Sequence, residues 1–108
     1  MTRYLIEETV TSQAVAAIMK DPHDRAKAVR PVFEAVGGKL EQYYVAYNEN
    51  TVYIIAEVPD QESLAALIWA FQAGGGPLFI KATPLMTTTE AVDMLKKAGS
   101  LGYRPTTG

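Results

Sequence analysis

The sequence has no cysteine and only one histidine and one tryptophan in 108 residues. The missing thiols exclude thiolate nucleophiles, disulfide frameworks and cysteine-ligated zinc or iron–sulfur centres. Long apolar runs are missing too, so neither a transmembrane helix nor the core of a signal peptide is expected, and Met1-Thr2-Arg3-Tyr4 leads straight into an alternating stretch. A cytoplasmic location with no membrane partner is the resulting expectation. An excess of positive charge is also lacking: 10 Lys and Arg against 12 Asp and Glu give a net charge of −2. No overall field then draws in a phosphate backbone, and no nucleic-acid partner is expected. Gly74-Gly75-Gly76 is not a phosphate cradle, because it follows a helical pattern and precedes a strand, whereas phosphate loops open a helix.

What is present is an ordinary globular composition, 48% hydrophobic and 20% charged. A chain of this length makes one domain able to bury roughly 65% of its unfolded surface without metal or disulfide staples. Alternation predicts a strand over Arg3 to Val10, with Tyr4, Ile6 and Glu8 on one face. Thr11 or Ser12 caps a helix running to Lys20. Asp21-Pro22 reads as the start of a second helix, which continues through Val29, Val32, Phe33 and a bend at Pro31 toward Val36, where Gly37-Gly38 stops it. Lys39–Tyr47 and Thr51–Val58 form two strands joined through Asn48-Glu49-Asn50. Pro59-Asp60 opens a helix with Leu64, Leu67, Ile68 and Phe71 at helical spacing. Leu78–Met86 is a fourth strand, and Thr87-Thr88-Thr89-Glu90 is a capping box that opens a last helix to Ala98.

This order predicts an α+β fold of ferredoxin-like βαββαβ type with an extra C-terminal helix and a four-stranded antiparallel sheet. One domain over residues 1–98 and a flexible tail over 99–108 are expected. Strands of a sheet covered on one face alternate apolar and polar residues. Here Val52, Ile54, Ala56 and Val58 are opposed by Tyr53 and Ile55, which places Tyr43, Val45, Tyr47, Tyr53, Ile55 and Phe79 on an uncovered face. So large an apolar patch implies a homodimer, or a multiple of dimers, that packs these faces together. The competing reading folds the short tail back over them.

The stretch Val36-Gly37-Gly38-Lys39-Leu40-Glu41-Gln42-Tyr43-Tyr44, the hairpin after it, and Glu57-Val58-Pro59-Asp60 together resemble the GYD-domain family. The similarity spans roughly Tyr4 to Ala98. It implies a fold of the dimeric α/β-barrel group, whose members include monooxygenases, isomerases and proteins without known chemistry, so fold and dimerisation are implied and activity is not. The Gly-Tyr-Asp hairpin that names the family is replaced here by residues around Glu49, with Asn48, Asn50 and Thr51 in its place.

Three residues are candidates for acid–base chemistry. Glu57 and Lys81 are expected on the same uncovered aromatic face, with Glu7 or Glu8 between them; a buried carboxylate there is a proton carrier, and a structural ion pair is the competing reading. His23, the one histidine, has no second histidine or metal-ligand spacing beside it, so a solvated residue in a first helical turn competes with a general base. Asp21, His23 and Asp24 could hold a divalent ion only weakly, a poor signal, and neither a metal nor an organic cofactor is expected. Arg25, in a basic run with Lys20, Lys27 and Arg30, is the residue suited to fork onto an anion. Tyr43, Tyr47, Tyr53, Trp69 and Phe79 are candidates for stacking a planar ligand, with core packing as the alternative and Trp69 off its helix's apolar stripe. The resulting expectation is a homodimer with an apolar pocket for a small organic molecule, binding or transforming it without a cofactor. The alternative is an assembly module whose aromatic face only joins subunits.

Overall fold

Alternation along the first strand sets the sheet. The computed structural model describes residues 1–106, in the order β1 (Thr2–Val10), α1 (Ser12–Lys20), α2 (Arg25–Ala35), β2 (Lys39–Val45), β3 (Thr51–Val58), α3 (Gln61–Ala73), β4 (Pro77–Leu85) and α4 (Thr88–Gly99). The strands form one antiparallel sheet in the order β2-β3-β1-β4. The architecture is α+β and ferredoxin-like, as the periodicity implies.

Tyr4, Ile6 and Glu8 of β1 and Val52, Ile54, Ala56 and Val58 of β3 face the helices, where they meet Val29 and Phe33 of α2 and Leu64 and Leu67 of α3. Phe33 is wholly buried and tilts against Phe71 at a ring separation of 5.9 Å. Burial of such side chains contributes roughly 1.5–3 kcal/mol each, so this single cluster supplies most of the driving force.

Helix α2 departs from the expectation at its start. Pro22 restricts the residue before it, and Asp21 accordingly ends α1, its N–H donating to the Ala17 and Ile18 carbonyls. The cap of α2 passes to Asp24, whose carboxylate accepts from the Ala26 N–H at 2.9 Å. His23 therefore lies in the connection and not in a first helical turn. The other helix starts follow the sequence signals: Thr11 caps α1, Asp60 caps α3, and Thr87 and Glu90 close the expected capping box.

Strand β2 carries the second departure. Leu40 pairs with Ala56, yet Gln42 pairs with Ile55, so Glu41 is an extra residue, a β-bulge. The phase resets at that point. Tyr43 and Val45, opposite Ile54 and Val52, turn to the helix side, while Tyr44, opposite Tyr53, takes the open face. Glu41 is held there by Arg3, whose Nε and Nη2 donate to its two carboxylate oxygens at 2.7 and 3.1 Å.

The open face thus includes Arg3, Leu5 and Glu7 from β1, Tyr53, Ile55 and Glu57 from β3, Tyr44 from β2, and Phe79 and Lys81 from β4. No helix covers it. Tyr44 and Phe79 are 60% and 61% exposed, and α4 has no buried residue although Val92 and Leu95 are apolar. A radius of gyration of 17.5 Å, against about 13 Å for a compact chain of this length, agrees with α4 standing away from the sheet. Residues 100–106 contain no helix or strand, and the last two residues of the expected tail, 107–108, lie outside the described residues.

Candidate functional site

On the helix side, where α1 and the α1–α2 connection stand off the sheet, the fold leaves a cleft of about 1180 Å³. Its floor is Glu8, Val52 and Ile54. One wall comes from Val15 and Ile18 of α1, another from Phe71 at the end of α3, and Tyr43, His23 and Arg25 complete it. The rim is stitched from parts of the chain far apart in sequence. Val10 and Asn50 exchange hydrogen bonds, Val10 N–H to the Asn50 carbonyl at 2.9 Å and Asn50 Nδ2 to the Val10 carbonyl at 2.7 Å. Next to them, Thr11 donates from its N–H to the Gly76 carbonyl and from its hydroxyl to that of Gly75.

Glu8 is the unusual member. It follows Tyr4 and Ile6 at strand spacing on the core face and is only 8% exposed. It takes part in none of the ion pairs or side-chain hydrogen bonds among the described residues. Burial pushes its carboxyl above the ordinary glutamate value of 4.5, and Arg25 opposes that rise from beyond ion-pair distance. The Tyr43 hydroxyl is also raised, first by burial and then by the Glu8 charge, with Arg25 acting in the opposite sense. Glu8, Tyr43 and Arg25 therefore form one electrostatic unit.

Arg25 is itself oriented. Its Nη1 donates to His23 Nε2 at 3.1 Å, and His23 Nδ1 donates to the Asp21 carbonyl at 2.7 Å. One neutral tautomer, with the proton on Nδ1, satisfies both bonds.

The structure brings together four of the sequence-derived candidates, His23, Arg25, Tyr43 and, at the mouth, the exposed Tyr47. It separates the others from them. Glu57 is on the open face, accepting from Arg3 Nη2 at 3.0 Å. Lys81 shares that face but pairs with Glu7, four residues along β1 from the Arg3 that faces Glu57. Adjacent strand positions rise about 3.4 Å each, so Glu57 and Lys81 are roughly 14 Å apart along the strand direction and cannot act on one small group. Tyr53 and Phe79 are also on the open face, where the Tyr53 hydroxyl donates to Glu49 at 2.6 Å. Trp69 is 78% exposed on α3 and does not line the cleft.

Tyr43 thus enters the site from the face opposite to the one simple alternation gives, because of the bulge. Glu8 was readable in the sequence, since a carboxylate in phase with Tyr4 and Ile6 is a charge on the core side. Among the described residues no group of three or more His, Asp or Glu side chains could hold a metal ion, and no helix is long and apolar enough to cross a membrane. Compared with known proteins, residues 4–95 match the model of the GYD domain. No curated protein matches the chain.

Proposed function

The chain belongs to the GYD domain family, and from that premise we propose that it acts as a homodimer whose helix-side cleft binds a small organic molecule. The observation that carries the reading is Glu8, a residue only 8% exposed that lines the cleft and whose carboxyl has no partner among the described residues. A carboxyl so far withdrawn from water, reached only through the cleft, is costly to keep charged, and such groups are commonly functional. Beside it, Tyr43 supplies a hydroxyl and Val52, Ile54 and Phe71 supply apolar surface, the usual make-up of a ligand pocket. A carboxyl and a phenol lining one cleft are also groups able to exchange a proton with a ligand without a cofactor.

Pairing of subunits rests on a different observation, the uncovered face with Leu5, Tyr44, Tyr53, Ile55 and Phe79. Two such faces packed together remove from water the patch that no helix shields. Assembly alone explains that face, but it gives no account of Glu8 on the other side of the sheet.

Native mass spectrometry of the purified protein tests both halves. The expected result is a dimer, or a multiple of one, carrying a small retained mass that the Glu8→Gln variant loses. A monomer would overturn the pairing; a mass retained equally by Glu8→Gln and by a Phe71→Ala variant would overturn the cleft.

A further inference from the structure

Resting on the reading of the cleft as a ligand site, we propose that its ligand is a small organic amine, the ammonium set against Glu8 and the apolar body against Ile54 and Phe71. The charge of the lining points to this class. Four carboxylates, Glu8, Asp21, Asp24 and Glu49, border the cleft against one guanidinium, Arg25, and no lysine lines it.

These charges differ in what they still have to offer. Asp24 is occupied as the cap of α2, and Glu49 accepts the Tyr53 hydroxyl. Arg25 is turned along the rim onto His23. Of the four, Glu8 alone is buried; among the described residues nothing donates to its oxygens, and Arg25 does not reach it. An ammonium brings three donors and no acceptor, matching a carboxylate that has acceptors and no donors. Tyr43 and Phe71 also line the cleft, and aromatic ring faces attract a cation. An organic acid of the same shape would bring a fifth negative charge to a wall with one guanidinium.

The groups that face Glu8 also fix the expected pH dependence. They are Arg25, His23, Asp21 and Asp24 from the α1–α2 connection and the start of α2, Tyr43 from β2, and Glu49 from the hairpin. Burial keeps Glu8 protonated above the ordinary glutamate value, so an amine gains affinity as pH rises through its titration and then levels off.

The test is a titration of the full chain with three probes of one shape, phenethylamine, phenylacetate and phenethyl alcohol, followed by calorimetry and by amide NMR shifts at Glu8, Val52 and Ile54. Phenethylamine is expected to bind best. Glu8→Gln is expected to weaken it roughly ten- to a hundredfold and to flatten its pH dependence, as loss of a charge-assisted hydrogen bond does. Arg25→Gln is expected to tighten it, and this variant keeps the proposal testable if Glu8→Gln does not fold. Tighter binding of phenylacetate or of the alcohol would overturn the amine and leave the site standing. Silence of all three probes at those amides would overturn the amine and the site together.

Discussion

Deleting Glu41 tests the bulge and, through it, the assignment of Tyr43 to the cleft. Without Glu41 the pairs Leu40–Ala56 and Gln42–Ile55 become consecutive rungs of a regular ladder, and no other residue changes face. Leu40, 5% exposed, stays in the core and Tyr43 stays opposite Ile54. Arg3 loses its fork but keeps Glu57 at 3.0 Å. The expected change in stability is under about 1 kcal/mol, that of a surface alteration, or a Tm shift within about 4–8 °C for a domain of this size. If Glu41 were an ordinary rung, deletion would invert one half of β2. Turning Leu40 out alone would cost about 1.5–3 kcal/mol, a large share of the roughly 5–15 kcal/mol that holds a domain together. Thermal unfolding followed by circular dichroism measures the difference, and nuclear Overhauser contacts from the Tyr43 ring to Phe71 or Ile18 report its face. A loss of about 3 kcal/mol or more, or Tyr44 in place of Tyr43 on the helix side, would refute the register argument.

Gly38→Ala is expected to destabilise by about 1–3 kcal/mol in denaturant unfolding, because an added Cβ would lie 2.7 Å from the Glu57 carbonyl oxygen and 3.2 Å from that of Phe33; an unchanged midpoint would show that β3 yields there. Replacing Tyr44 and Phe79 by lysine should leave the fold intact, since both are exposed in the single chain, and should yield a monomer by light scattering; a persistent dimer would move the interface elsewhere. Stability is expected to fall as pH rises above 4.5, because Glu8 binds its proton more tightly folded than unfolded, and the contribution, present below that value, is lost through the raised folded value. Glu41, Asp60 and Glu90 are shifted down by their hydrogen bonds and lean the other way, contributing above their ordinary values and losing that contribution as pH falls. The profile should therefore peak in mild acid, and Glu8→Gln should remove the decline that begins above 4.5; a Tm independent of pH just above the peak would remove Glu8 from the account.

Most of the fold was legible because its signals are local. Alternation in β1 and β3, the threonine and aspartate caps, and the stripe of Leu64, Leu67 and Phe71 each depend on neighbours a few residues away, and they match the structure. Asp21 and Asp24 show where local reading fails: both are competent caps, and the choice between them depends on Pro22 forcing an extended residue before it. The bulge has a weaker signal still. Leu40 and Tyr43 lie on the same face only because a residue was added between them, and an inserted glutamate in a strand looks like any exposed rung. The site was half legible for the same reason. His23 and Arg25 could be grouped by their closeness in sequence, whereas Glu57 and Lys81 share a face but lie far apart on it.

The stitched rim sets when the cleft can exist. Asn50 and Val10 are 40 residues apart and Thr11 and Gly75 are 64 apart, and these hydrogen bonds close the end of the sheet where Glu8 lies. Contacts of such long range require the chain to give up the entropy of two large loops. A chain with β1, β2 and β3 assembled but β4 still free has the floor and only part of the rim. Anything that binds there therefore recognises completed chains alone, and by mass action it draws the folding equilibrium toward them.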